Sequence, residues 1–250
     1  MRQISTFDAY LFDMGNTLLD FHQGSSDQEK DRLGVERLSI HLKEEYGLPV
    51  TADFLADKFL GPWLADFPLR SKGKELDVES YLNDALAIFQ IKLGPAECQE
   101  AMKVWFSEYK NQVVVNPNAW VTLHHLNTQG KKVAVVSNST LYADIFIDIF
   151  EHVGLAPFIH AFVFSYAYGA RKPSAILFQE ALKQFGLNPS QTVMVGDRLD
   201  TDLAGAQELG INTIWYNPSE KSLSGIVSPD YIISDFNQLI WEGQAKRDLQ

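Results

Sequence analysis

The sequence contains one cysteine, Cys98, in 250 residues. No intrachain disulfide can form, which fits a reducing compartment. No reactive neighbourhood surrounds Cys98, so it reads as filler on a helix face rather than as a nucleophile. No apolar run approaches the ~18 residues that a membrane span needs. The apolar stretch 145–150 is interrupted by Asp148. Residues 1–6 lack the apolar segment of a signal peptide. Positive charge is also scarce: 21 Lys and Arg stand against 32 Asp and Glu, a net charge of −11. Such a chain repels nucleic acid and anionic membranes in general. Any site for a phosphate must then be a local basic pocket rather than a basic face. A soluble, cytoplasmic protein is expected, with neither nucleic acid nor membrane as partner. Internal repeats and low-complexity tracts are missing too.

Hydrophobic residues make up 46% of the chain, enough to bury a sizeable core. The length suits one large domain, or a core with a smaller companion. Two textures alternate along it. Residues 22–116 carry no convincing strand. Helical periodicity covers 27–46, with Gly47 as a stop, and 53–60, ended by Gly61-Pro62. It returns over 75–93, ended by Gly94, and from Pro95 to about 112. Phe54, Phe59, Trp63, Phe67, Phe89, Trp105 and Phe106 are expected to form the core of this helical insert. Gly61-Pro62-Trp63 is expected as a turn facing the mouth of a site.

From about residue 117 strands and helices alternate. Short apolar strands are predicted at 132–137, 161–164, 192–195, 212–215 and 231–233. Helices are predicted near 119–128, 141–150, 174–185 and 201–209. Residues 9–12 form a further strand of the same kind. This pattern predicts an α/β fold with a doubly wound parallel sheet. Its core spans 1–21 and 117–250, and the helical insert spans 22–116.

Four polar segments fall where these strands end, the place where open α/β sheets bind ligands. Asp13-Met14-Gly15-Asn16-Thr17 follows the first strand, and a carboxylate there can serve as a nucleophile. Ser137-Asn138 follows the second and offers a hydroxyl and backbone N–H groups to a phosphate. Arg171-Lys172-Pro173 places a lysine just before a helix start. Gly196-Asp197-Arg198-Leu199-Asp200-Thr201-Asp202 brings carboxylates together in a way that suits a hard cation such as Mg²⁺. Each segment alone is also ordinary turn or capping chemistry. His124-His125 has no acidic or cysteine partner in register for zinc.

In this order the four segments resemble the signature motifs of the haloacid dehalogenase-like superfamily. The resemblance covers roughly 5–20 and 117–240, and the insert matches the position and texture of that superfamily's helical cap. It implies a Rossmann-like core and a Mg²⁺-dependent hydrolase, close to the phosphatases that act on small phosphorylated substrates. It assigns Asp13 as nucleophile and metal ligand, and Gly15 as a metal ligand through its carbonyl. Ser137 would bind the transferring phosphoryl group, with Asn138, Thr17 and Arg171 in substrate binding. Lys172 would neutralise charge on that group and on Asp13. Asp197 and Asp202 would hold the metal. The dehalogenase branch fits less well, because it does not use the metal.

One position departs from the pattern. The superfamily's second aspartate, which protonates the leaving oxygen and then activates water, is Gly15 here. Three explanations remain open. His22 or a carboxylate of the cap or substrate supplies the proton. Or the chain resembles phosphonate-cleaving relatives, with Lys58 as a Schiff-base lysine. Or it binds a phosphorylated ligand without turnover. A monomer or a homodimer is equally compatible with the sequence.

Overall fold

The computed structural model describes residues 6–73, 75–223 and 227–240. Its centre is a six-stranded sheet. The first strand, β1 (Ala9–Phe12), is followed by a two-residue strand β2 (Leu19–Asp20). The helical segment then runs through α1 (Asp27–Tyr46), α2 (Ala52–Leu55), α3 (Gly61–Ala65), α4 (Val78–Leu86), α5 (Pro95–Trp105) and α6 (Ser107–Gln112). The chain returns through β3 (Val114–Val115), α7 (Ala119–Thr128), β4 (Lys132–Ser137), α8 (Ala143–His152) and β5 (Ala161–Phe164). It ends with α9 (Ala175–Phe185), β6 (Thr192–Gly196), α10 (Ala204–Glu208), β7 (Asn212–Tyr216) and β8 (Tyr231–Ile233).

The strand order is β5-β4-β1-β6-β7-β8 and every pairing is parallel. β1 lies between β4 and β6, so the winding reverses beside it. That switch point leaves a crevice beyond the strand ends. Alternate side chains of the strands feed two layers. Tyr10 and Phe12 pack with α7, α8 and the helical segment. Leu11, Ala134, Val136 and Met194 pack with α9 and α10 through Leu177, Phe178, Ala181 and Ala206. Both faces are buried, which is why these strands read as unbroken apolar runs. A fully buried Phe or Leu of this kind contributes about 1.5–3 kcal/mol.

Six strands and the long first helix stand where the sequence predicts them. The differences lie mainly in the insert. Gly61-Pro62 does not end a helix. A wider turn at Ala56–Leu60 lets the Gly61 N–H reach Ala56 O, and the helical path continues to Ala65. Such a turn accommodates a proline that lacks one N–H. Trp63 is accordingly buried in the insert's core against Phe59, Phe67 and Trp105 rather than placed in a turn at a mouth. The helix expected from residue 75 begins at Val78, capped by Asp77, which leaves Glu75 in the preceding loop. The helix from Pro95 is broken at Phe106. β2 and β3 pair antiparallel, Leu19 with Val115 and Asp20 with Val114, where the chain leaves and re-enters the sheet. No helix among the described residues is long and apolar enough to cross a membrane.

Candidate active site

β1 delivers Asp13 at its carboxyl end, where the Asp13 N–H bonds Val195 O of β6 at 2.9 Å. The Leu18 and Leu19 N–H groups turn back onto Met14 O, both at 2.9 Å. Asn16 adopts a left-handed φ of 57° in this turn, a conformation that asparagine tolerates better than most residues. The carboxylate of Asp13 accepts two bonds on the same oxygen. Ser137 Oγ, from the end of β4, donates to Oδ1 at 3.0 Å, and Lys172 Nζ donates to it at 2.6 Å.

Lys172 is fully enclosed. Its ammonium also reaches Asp202 Oδ1 at 2.7 Å and Val136 O at 2.7 Å. Burial pulls its pKa down, but the charges of Asp13 and Asp202 outweigh this and hold it above the ordinary lysine value. Its main chain is fixed as well. Asn138 Oδ1 accepts the Lys172 N–H at 2.7 Å, and Asn138 Nδ2 donates to Lys172 O at 3.2 Å. The Asn138 side chain thus positions the lysine, a task not apparent from its place after Ser137.

The acidic segment closes the site. A wide turn at Leu199–Leu203 leads into α10 and aims Asp202 inward, where its Oδ2 accepts the Arg198 N–H at 3.1 Å. Carboxylate oxygens of Asp13, Asp197 and Asp202 lie within 4.8 Å of one another. Asp197 is pushed up to about 7, first by burial and then by repulsion from Asp13 and Asp202. Burial raises Asp202 too, against the pull of Lys172. When all three carboxylates are ionised, the one ammonium leaves two negative charges uncompensated. An oxygen donor set with that excess fits a hard divalent cation such as Mg²⁺.

These groups open into a cleft of about 790 Å³, which Gly15, Asn138, Arg171 and His22 also line. Phe21, Phe67, Phe106, Tyr109 and Phe146 give it an apolar wall. Two of the insert's aromatics, Phe67 and Phe106, therefore serve the cleft rather than only the insert's core. His22 stands at the rim, its side chain 61% exposed and its Nδ1 2.9 Å from Asp27 Oδ2. Thr17 is different from the expectation: it is fully buried and is not among the residues that line the cleft. Lys58 is exposed, pairs with Asp57 at 3.0 Å and lies outside the cleft lining. Cys98 is buried, with its thiol pushed up to about 11, first by burial. Sequence reasoning missed Arg70, which lines this cleft from the insert, and Glu75, the buried carboxylate it pairs with.

A buried carboxylate at a strand end, paired with a lysine and flanked by a cation-ready acidic pair on a parallel α/β sheet, defines the class of protein as a hydrolase of α/β architecture. A family model described as haloacid dehalogenase-like hydrolase matches residues 7–210, and the chain belongs to that family. A ribulose-1,5-bisphosphate 5-phosphatase from Halopiger xanaduensis is 30% identical over 142 residues, covering 57% of this chain and 59% of the relative. A glyceraldehyde 3-phosphate phosphatase from Pyrococcus furiosus is 35% identical over 96 residues, covering 37% of this chain and 36% of the relative. The chain thus spans less than two thirds of the length of these relatives. A 2-haloacid dehalogenase from Pseudomonas syringae shares the fold with a TM-score of 0.61 and 24% identity, covering 94% of this chain and 96% of that one. The same fold therefore carries differently named reactions, and the side chains of the cleft must decide between them.

Proposed function

We propose that the chain is a Mg²⁺-dependent phosphatase of small phosphorylated metabolites that works through an aspartyl-phosphate on Asp13. The observation that carries this reading is Lys172 Nζ, held between Asp13 and Asp202 beside an acidic pair. Lys172 and Ser137 both donate to Asp13 Oδ1, which leaves Oδ2 for attack on phosphorus. The bond from Oδ2 to phosphorus forms as the bond to the leaving oxygen breaks. Water then attacks phosphorus, releasing phosphate and restoring the carboxylate. Mg²⁺ held by Asp13, Asp197, Asp202 and the Gly15 carbonyl would supply charge neutralisation. Phosphoryl transfer depends mainly on positioning and electrostatics, and Lys172, Ser137 and Asn138 supply both. The helices of 22–116 act as a cap that brings Phe67, Phe106 and Tyr109 to the wall of the cleft and excludes water.

Gly15 supplies no proton to the leaving oxygen, so turnover favours substrates with good leaving groups. The names of the sequence relatives support the phosphatase reading over dehalogenation, as does an acidic cluster suited to a metal. The test is hydrolysis of p-nitrophenyl phosphate with and without Mg²⁺, by the wild type and Asp13→Asn. Metal-dependent release of nitrophenol that Asp13→Asn abolishes is expected. Tight binding of phosphate esters with no hydrolysis at any pH would favour a ligand-binding relative instead.

A further inference from the structure

The cleft holds a second cationic feature that the phosphoryl site does not use. Arg70, from the insert, and Arg171, from the loop before Lys172, converge on one carboxylate, Glu75. Arg70 Nε donates to Glu75 Oε1 at 3.1 Å, and Arg171 Nη1 donates to Oε2. Ser165 Oγ donates to Oε2 at 2.5 Å and accepts the Ser139 N–H at 2.8 Å. The Glu75 side chain is 2% exposed, and those of Arg70 and Arg171 are 17% and 13% exposed. The Arg171 N–H also bonds Gly73 O at 3.2 Å, which ties the insert's loop to the core.

The charges do not cancel. Two guanidinium groups share one carboxylate, which leaves one positive charge in a nearly enclosed position. Burial lowers Arg70 to about 10, Glu75 opposes this, and Arg171 adds repulsion. A buried excess charge is unfavourable unless a counterion completes it. Only one nitrogen of each guanidinium is engaged by Glu75 among the described contacts, so further N–H donors of both remain for an acceptor. The Arg70 guanidinium also lies over the Phe67 ring, 4.9 Å from its centroid. The other cations of the cleft are committed elsewhere. Lys172 lies between Asp13 and Asp202, and Arg198 forks onto Asp200 at 2.8 and 3.2 Å.

We propose that Arg70 and Arg171, set by Glu75, form a second anion subsite, so that the substrate is a phosphate monoester whose leaving alcohol carries another carboxylate or phosphate. Planar guanidinium donors suit both of these oxyanions. The inference rests on the phosphatase reading for its first phosphate, and it adds the class of leaving group.

The test is a matched pair of ligands measured by binding, without turnover. Calorimetry on full-length Asp13→Asn with Mg²⁺ compares 3-phosphoglycerate with glycerol 3-phosphate, which lacks the carboxylate. Fructose 1,6-bisphosphate is compared with fructose 6-phosphate in the same way. A preference of about tenfold or more for one doubly anionic ligand is expected, and the pair that shows it identifies the second anion. Adding Arg70→Gln or Arg171→Gln is expected to remove the preference, and Arg70→Lys to retain part of it. Thermal melting checks that each variant is folded. If both Gln variants fail to fold, the absence of any preference in the Asp13→Asn parent remains decisive. No preference, or one that Arg70→Gln and Arg171→Gln leave intact, overturns the subsite. Equal weakening of both ligands by Arg70→Gln also overturns it, because the arginines would then serve the first phosphate. A preserved preference with no hydrolysis by the wild type overturns only the phosphatase reading.

Discussion

Lys172 and Asp13 are 159 residues apart in sequence, and their side chains meet at 2.6 Å. The same ammonium lies 2.7 Å from Asp202. Replacing Lys172 with Ala leaves three neighbouring carboxylates without their counter-charge. Breaking a buried ion pair from one side costs about 3–5 kcal/mol. At about 2–4 °C per kcal/mol for a domain of this size, Tm should fall by roughly 10 °C. Activity on p-nitrophenyl phosphate should drop about a hundredfold or more. Mg²⁺ should raise the Tm of Lys172→Ala by more than that of the wild type, since it replaces missing positive charge. A melting series against Mg²⁺ checks this, and equal shifts in the two proteins would refute it.

The pH dependence of the metal-free protein should run against the usual carboxylate pattern. Asp197 is raised from 3.8 to about 7 by burial and by its acidic neighbours. The folded protein therefore holds a proton between those values that the unfolded chain releases. Stability then falls as pH rises from about 4 to about 7, and the full penalty remains above that. Asp202 shifts in the same direction. Chelated protein should melt lower at about pH 8 than at about pH 6, and Asp197→Asn should flatten that difference. Mg²⁺ stabilises most at the higher pH, where the carboxylates are ionised. A chelated protein that grows steadily more stable up to about pH 8 would contradict this.

The sheet and the side-chain cluster at its strand ends were legible because their signals are local. Parallel strands buried on both faces read as short apolar runs, and Asp13, Ser137 and Asp197 stand at their ends, while Lys172 and Asp202 lie a few residues further on, before a helix. Asp13, Ser137, Lys172, Asp197 and Asp202 all converge as that order implies. The insert was less legible. Its helical path is interrupted rather than ended at Gly61-Pro62 and broken at Phe106, and neither local adjustment leaves a periodic trace. β2 and β3 are two residues each and pair across some ninety positions. Glu75 reads as an ordinary helix-start acid. Its partner Arg171 lies 96 residues away, and only the docking of the loop onto the core joins them. Thr17 fits a motif by type, but its type does not foretell its complete burial.

Gly15 can be tested directly, because the space for a side chain exists. A Cβ placed there meets nothing within 4 Å, and the residue has no left-handed φ. Gly15→Asp should therefore fold as well as the wild type. It restores a carboxyl group where the leaving oxygen is expected. General acid–base help is worth about 10²–10⁴-fold. The gain should appear with alkyl phosphates, whose alkoxides need a proton, and be much smaller with p-nitrophenyl phosphate. Comparing kcat/KM for the two ester types in both proteins reads this out. An equal change for both would show that position 15 does not serve the leaving group.

Gly205 tests whether the lysine loop must be held from behind. A Cβ at Gly205 would lie 2.4 Å from Pro173 O, 2.6 Å from Phe178 Cε2 and 2.9 Å from Pro173 Cα. Two of these atoms are backbone, so the strain cannot be relieved by turning a side chain alone. α10 must withdraw, or the loop carrying Lys172 must move. Overpacking of this kind typically costs about 1–3 kcal/mol. The displacement acts at Pro173, the residue next to Lys172, while the Asp13 turn on β1 is untouched. Gly205→Ala should therefore lower kcat on p-nitrophenyl phosphate by about tenfold or more, since small misplacements of a charge-stabilising group are costly. KM should change less, because Ser137 and the backbone after it keep their places. A variant that melts lower but keeps the wild-type kcat would mean that the bonds from Asn138 alone are enough to hold Lys172 in register.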